Sequence, residues 1–439
     1  MAGFGFVPNE PDENNPDKNN PFGFGNFGEI FQQFSGMGLN LPGLMAALSG
    51  QSSPATLSRQ MIRDISRKFL TAHGENPVSV EDLVATKEAF DIADLWINEA
   101  TTFPNLVIPD TCALSRRDWI DSTLAGWEEL ATPLVDGMTT AMGEMLKESL
   151  GGDESGFEIP GFGAMRIPQS SLAAIMSTFM SSMISTQLGQ TIGNLSTTVT
   201  GANDVALPLT SPIRPQLIPQ NVNQWGKDLE IPAAEIRIYL ALREIAAARL
   251  FAATPWLREY VRESIAHYGK GIRVDITAIT QQAEDAMNSG ALDPSNPESM
   301  SLALSGGMFT PEETPQQKAA LERLETVLAL IEGWIDAVVT KAAGDRLPSM
   351  IKLRETQQRR RATNSPTQQL FATLVGLEVS PRRTREAIAF WEKIALLQDI
   401  QNRDQIWEEA ILLPTASQLL DPEGFLKSRT IPDDLSGLI

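Results

Sequence analysis

The sequence predicts a mainly α-helical protein with few short strands and a disordered N-terminal tail. Apolar residues recur at helical spacing in most segments after residue 56, and capping residues precede several of these segments. Residues 1–56 are instead rich in Gly, Asn, Pro and Phe, a composition that buries too little apolar surface to offset chain entropy. We therefore expect a disordered tail over 1–56, an N-terminal helical region over 57–150 and a larger helical domain over 151–439.

The N-terminal helical region carries clear start and stop signals. Ser79 has a carboxylate three positions on, at Asp82, which is the reciprocal capping pattern of a helix start. His73 stands beside Gly74 and is expected to end the preceding helix. Two further helices are predicted, over 119–130 and 133–150, before the Gly-rich break at 151–156.

An uncharged stretch from Ile167 to Asn203 follows a short extended segment that prolines punctuate at both ends. Its middle, residues 171–190, predicts a Met-rich helix. This segment is long enough to cross a bilayer, but it holds too many Ser, Thr and Gln residues for a spanning helix, so we expect no membrane span. The methionines pack in the core or, alternatively, form a homo-oligomer interface.

The rest of the chain is also predicted to be helical, apart from proline-punctuated loops or edge strands near 205–219. A helix over 232–251 has a mostly apolar face that also carries Arg243. Residues 310–313 combine a capping threonine with a proline and two glutamates, which indicates the start of another helix. An apolar stripe from Leu321 to Val338 lies on this helix or on the next one. Further helical segments are expected at 367–374, 384–397 and 404–410.

Composition removes several classes of function. The formal net charge of −20 disfavours nucleic acids and anionic membranes as partners, because phosphate contacts need local positive charge. One cysteine, Cys112, allows neither an intrachain disulfide nor a cysteine zinc cluster. His73 and His267 are the whole histidine supply, so no three-histidine metal site can form within one chain. The N-terminus lacks the features of a secretory signal, and we expect a cytoplasmic location.

The helix that contains Arg243 can be compared with the zinc-binding helix of metallopeptidases. A metallopeptidase helix needs two imidazoles one turn apart and a glutamate beside the first of them. The segment Tyr239–Arg258, which ends in Pro-Trp-Leu-Arg, resembles the bacterial zincin-like metallopeptidase family, whose members are often labelled hydrolases or zinc-dependent metalloproteases. The similarity covers about 170–414 and includes the following blocks: Leu188–Asn194, Ile331–Val339, Arg359–Thr363 and Phe371–Glu378.

The resemblance implies a zincin-like fold and a degenerate zinc site. It puts Arg243 and Ala247 at the two histidine positions and Glu244 at the general-base position. A Glu-Gly-His block of other members becomes Glu332-Gly-Trp334. A guanidinium has no free lone pair and a methyl group ligates nothing, so only Glu244 and Glu332 keep chemistry that suits a metal.

Because an isolated charge on an apolar face is costly, we predict that Arg243 occupies the vacated metal position and pairs with Glu332, Asp336 or both. Glu332 and Asp336 are one turn apart on their helix, which places them on one face. The alternative is that these are ordinary surface helices with unrelated charges. His267 is expected to be a loop or helix-end residue.

A basic stretch that includes Arg359, Arg360 and Arg361 stands out in this acidic chain. These residues could bind an acidic peptide or a phosphate; alternatively, they pair with acidic surface elsewhere.

Three functions remain open. The first is a zincin-like scaffold that has lost zinc catalysis and binds a protein or peptide partner, with no cofactor. The second is a hydrolase or metalloprotease that uses Glu244 as general base at an atypical carboxylate metal site; zinc is expected only there. The presence of Arg243 argues against this second function, because its fixed positive charge would repel a bound metal cation. The third is an assembly protein that oligomerises through the helix at 171–190.

Overall fold

The structure is a computed structural model, and it describes residues 57–149, 157–158, 166–167, 169–271, 314–375 and 381–429. The tail predicted over 1–56 and the helix start predicted at 310–313 lie outside these residues. The α-helices are α1 (Arg59–His73), α2 (Val80–Ile97), α3 (Arg116–Ser149), α4 (Gln169–Ser196), α5 (Pro219–Gly226), α6 (Ala233–Ala253), α7 (Trp256–Lys270), α8 (Pro315–Ala343), α9 (Met350–Asn364), α10 (Pro366–Val375), α11 (Pro381–Leu397), α12 (Ile400–Asp404) and α13 (Pro422–Arg429).

The predicted mainly helical fold class is confirmed. Over the described residues the strands are β1 (Phe157–Glu158) and β2 (Arg166–Ile167), which pair antiparallel with Phe157 opposite Ile167. Short 3₁₀ helices complete the regular structure at Gly344–Arg346, Gln405–Trp407, Ala410–Leu412 and Gln418–Leu420.

The described residues fall into two compact units. The larger unit contains those of 57–144, 179–271, 314–375 and 381–429, and it holds every candidate site residue. The smaller unit contains 145–149, both strands and 169–178. Helices on both sides of residue 150, where the sequence predicts a domain boundary, therefore belong to the larger unit.

Helix α8 is the centre of the larger unit. It packs against α11, α7, α6 and α2, and α2 in turn packs against α6. Thr314 caps α8 in a reciprocal capping box with Gln317, followed by a proline in the first turn. Almost every residue from Leu324 to Val339 is buried, so the predicted apolar stripe is one face of a helix that is enclosed on most sides.

Helix α6 is enclosed even more completely. Its residues from Tyr239 to Phe251 are all buried, whereas the sequence predicts one apolar face. The reason is that α6 packs against α8, α2 and α5 at once, so residues on its other faces are covered too. This packing places Arg243 and Glu244 inside the protein.

Two predicted element boundaries are wrong. The helices predicted at 119–130 and 133–150 are one helix, α3, which runs through Pro133. An internal proline costs about 3 kcal/mol, and the buried side chains on both sides of it, which include Leu130 and Leu134, offset that cost. The helix predicted at 404–410 is instead the end of α12 followed by short 3₁₀ turns.

The Met-rich segment 171–190 lies within α4, as predicted. In the described part of the chain, no helix combines the length and the apolar character needed to span a bilayer. The final turns of α4 pack closely on α1, because a Cβ atom on Gly189 would lie 2.9 Å from Ile65 and one on Gly193 would lie 2.8 Å from Phe69. The Leu188–Asn194 block is therefore a helix-packing element.

Candidate functional site

Arg243 makes the ion pair that the sequence predicts. Its Nη2 donates to Oε1 of Glu332 on α8 at 2.5 Å, and the side chains are only 7% and 11% exposed. Burial opposes both charges, but the attraction between them outweighs it, so the pKa of Glu332 lies below its ordinary value and that of Arg243 above it. Arg243 is thus a buried, fully charged group.

A second ion pair joins the first. Arg361 on α9 lies with its Nε 3.4 Å from Glu332 Oε1, and its Nη2 donates to Asp204. Despite burial, Arg361 lowers the pKa of Asp204 and the two carboxylates raise that of Arg361. The four side chains form a balanced chain of charges, Arg243–Glu332–Arg361–Asp204, which we call the charge cluster.

Asp204 and its pairing with Arg361 are not predicted from the sequence. Asp204 lies in the loop between α4 and α5, 157 positions before Arg361. One feature of the sequence could have drawn attention to Asp204, because it is the first charged residue after the uncharged stretch that ends at Asn203. Its carboxylate also accepts from the backbone N–H of Thr200 at 2.8 Å, so it orders this loop as well.

Asp336 pairs with Arg354 rather than with Arg243. Arg354 on α9 donates to Asp336 Oδ2 from Nε at 2.8 Å and from Nη2 at 2.5 Å, and it also contacts Glu392. Burial raises the pKa of Asp336 above its ordinary value, although Arg354 opposes the shift. Of its two predicted partners, Arg243 therefore contacts Glu332 directly. Asp336 makes no ion pair with Arg243, but its charge helps to raise the pKa of Arg243.

Glu244 accepts hydrogen bonds from a loop. Its Oε1 accepts from the Asn203 backbone at 3.1 Å, from the Asn203 side chain at 2.7 Å and from the Gln216 backbone at 3.1 Å. Gly201 permits this approach, since a Cβ there would lie 2.4 Å from Glu244 Oε2. Burial raises the pKa of Glu244 to about 8, and these N–H donors counteract only part of that effect.

The structure does not bring Trp334 into the charge cluster. Trp334 is two positions from Glu332 on α8, so it points to another side of the helix. Its Nε1 donates to Asp404 Oδ1 at 3.0 Å, and its ring lies 5.2 Å from that of Phe103. Trp334 therefore anchors α12 to α8.

The remaining candidate residues divide between core and surface. Ala247 is 3% exposed and lies one turn after Arg243 on α6. Arg360 donates to the Trp225 backbone and stacks over the Trp225 ring, and Arg359 makes an exposed pair with Glu355 one turn away. Arg361 alone of the three arginines joins the charge cluster.

The histidines lie away from this cluster. His73 ends α1, as predicted, and stacks on Phe69. His267 is exposed in the last turn of α7. An open groove of about 840 Å³ lies between α3 and α7, and no candidate site residue lines it.

The residues around Arg243 do not fit a zinc ion. Zinc takes lone pairs from imidazole, thiolate or carboxylate groups, usually four ligands in a tetrahedron. Arg243 offers only N–H donors, Ala247 offers a methyl group, and Glu332 is held by two guanidinium groups. Among the described residues, no group of three or more His, Cys, Asp or Glu side chains is placed to hold a metal ion.

Comparison with known proteins gives the family of this chain. A family model described as zincin-like metallopeptidase matches residues 58–426, most of the 439-residue chain. The chain belongs to the zincin-like metallopeptidase family. The predicted resemblance is therefore confirmed, and the charge cluster lies within the matched residues of this zincin-like chain.

One solved structure is similar to this zincin-like chain: the crystal structure of "a putative hydrolase with a novel fold" from Chloroflexus aurantiacus. It shares 18% sequence identity, with a TM-score of 0.55, and the match covers 85% of this chain and 100% of that one. At this identity the similarity shows a shared fold. A search of curated proteins finds no match.

The Glu-Gly-Trp block of this zincin-like chain combines three contacts. Glu332 pairs with Arg243, and Trp334 binds Asp404. Gly333 lets α8 approach α11, since a Cβ there would lie 2.9 Å from the Ala387 backbone and from the Trp391 ring. The block therefore connects the charge cluster to the packing of α11 and α12.

Proposed function

We propose that this member of the zincin-like metallopeptidase family is a non-catalytic protein that binds a protein or peptide partner. The observation that carries the proposal is the buried pair between Arg243 and Glu332. Arg243 stands at a family ligand position, and its charge takes the place of a metal cation opposite the carboxylate of Glu332.

The environment of Glu244 supports the same proposal. A general base must reach the water or the proton that it takes, within about 2.6–3.2 Å. Glu244 is 3% exposed, and it accepts N–H groups from Asn203 and Gln216. It therefore acts as a structural carboxyl group that holds the two ends of the loop from 203 to 216 together.

The alternative function, a hydrolase with a carboxylate metal site, would need Glu332 and Asp336 as ligands. Both already bind arginine side chains, at Arg243 and Arg354 respectively. A cation at this position would have to displace those guanidinium groups and would then be repelled by them. Assembly through the Met-rich segment 171–190 stays a separate prediction, and light scattering of the purified protein tests it.

Metal content tests the proposal. The wild type and Glu244→Ala would be purified without chelator, and their metal content measured by elemental mass spectrometry. We expect no stoichiometric metal in either protein, and no hydrolysis of casein by the wild type beyond that by Glu244→Ala when zinc, manganese or magnesium is added. About one metal ion per wild-type chain, reduced in Glu244→Ala, would overturn the proposal and favour the carboxylate metal site.

A further inference from the structure

Helix α2 carries large apolar side chains on its outer surface. Val80, Val84, Ile92 and Leu95 are 80%, 51%, 38% and 67% exposed. The opposite side of the helix packs against α6 and α8 through buried residues that include Ala89, Phe90 and Ala93. Val80, Val84 and Leu95 lie within about 60° of one another around the helix axis, as their spacing of four and eleven residues requires. We call these four exposed side chains the α2 stripe.

Carboxylates accompany the α2 stripe. Glu81, Glu88 and Asp91 are exposed on the same half of the helix. None of the three makes an ion pair with another described residue. Lys87 is the one basic residue of α2. Lys87 lies on the same side of the helix, four positions before Asp91, so the surface combines an apolar ridge with a net negative charge.

From this surface we infer that the α2 stripe binds an amphipathic helix of a partner protein, with apolar residues on its contact face and Lys or Arg beside them. Apolar side chains of the partner would cover the stripe, and its basic residues would pair with Glu81, Glu88 and Asp91. The inference rests on the proposed binding function and names the surface and the chemical class of partner.

Charge argues against two other occupants. A second copy would bring the same carboxylates against each other, in a protein whose net charge is −20. Residues 1–56 of this chain contain five acidic and one basic side chain, so their sequence does not complement the stripe either. An amphipathic helix with basic residues complements both the apolar side chains and the carboxylates of this surface.

The probe is a fluorescent 18-residue peptide with Leu and Lys at amphipathic helical spacing, titrated with the full-length protein and followed by anisotropy. Val84→Ser/Leu95→Ser removes two side chains of the stripe without changing the charge. The matched control is Ile351→Ser/Leu396→Ser, which removes two apolar side chains that are 84% and 83% exposed elsewhere. We expect the stripe variant to weaken binding by roughly tenfold or more, and the control by less than about twofold. Glu88→Gln/Asp91→Asn should also weaken binding and reduce its salt dependence.

Equal binding by the stripe variant and the wild type would overturn this inference, and so would an equal loss in the control variant. A wild-type dimer in sedimentation that the stripe substitutions dissociate would assign the surface to a second copy and would also overturn it. All four replaced side chains are exposed, and circular dichroism checks that the variants fold. Zinc or peptidase activity in the wild type would overturn the proposed function without changing the peptide result, so the two failures are distinguishable.

Discussion

Replacing Arg243 and Glu332 one at a time and together measures how strongly the charge cluster is coupled. Arg243→Met leaves Glu332 and Asp204 facing the single cation Arg361. Glu332→Met leaves two arginines facing the single carboxylate of Asp204. The double variant leaves the neutral pair between Arg361 and Asp204, which the structure already contains.

The expected magnitudes follow from burial. Removing one partner of a buried ion pair costs about 3–5 kcal/mol of unfolding free energy. Arg361 lies 3.4 Å from Glu332 and compensates part of the loss in Arg243→Met, so that variant should fall near the lower limit, about 3 kcal/mol. Replacing both partners by apolar residues is often close to neutral, so the coupling energy, which is the sum of the two single losses minus the loss in the double variant, should be at least about 3 kcal/mol.

Urea unfolding at pH 7, followed by circular dichroism, measures each variant, and the slopes must agree before free energies are compared. The matched control is the cycle for Arg359 and Glu355, an exposed pair one turn apart, where about 0.3–0.5 kcal/mol is expected. A coupling for Arg243 and Glu332 no larger than that of the control pair would refute the reasoning.

Two further predictions concern Glu244 and Gly333. The pKa of Glu244 is about 8 in the folded state, above its ordinary value of 4.5. Between these two pH values the folded protein holds a proton that the unfolded chain has released, so the free energy of unfolding decreases as the pH rises from about 4.5 to about 8. Wild type should therefore lose stability relative to Glu244→Gln between pH 6 and pH 8.5 in urea unfolding, and a pH-independent difference would contradict the assignment. Gly333→Ala should destabilise by about 1–3 kcal/mol because of the close approach of α11, and the stabilisation usual for this change inside a helix would argue against that packing.

Much of the fold can be predicted from the sequence, because caps and periodicity are local. Ser79 and Asp82 form the predicted capping box, and His73 ends α1 before Gly74. The prediction fails where tertiary packing decides. Pro133 lies inside α3 because buried neighbours offset its cost, and α6 is covered on all sides because α2, α5, α8 and α9 pack against it.

The candidate site shows the same division. The pair between Arg243 and Glu332 can be predicted, because a charge within an apolar helix needs a partner and the family's motif blocks indicate where to look. The position of Asp204 cannot be predicted in this way, since it depends on how the loop between α4 and α5 folds over α6. Trp334 lies outside the charge cluster, because helical geometry directs it away from Glu332 and toward Asp404.

A zinc titration of the wild type beside Arg243→His/Ala247→His, read by native mass spectrometry, tests most directly whether Arg243 occupies the metal position. The double variant puts two imidazoles one turn apart on α6, within reach of the Glu332 carboxylate that Arg243 now contacts at 2.5 Å. We expect no zinc on the wild type and one zinc per chain on the variant. Zinc on the wild type at the same stoichiometry would contradict this expectation, and so would a folded variant that binds none.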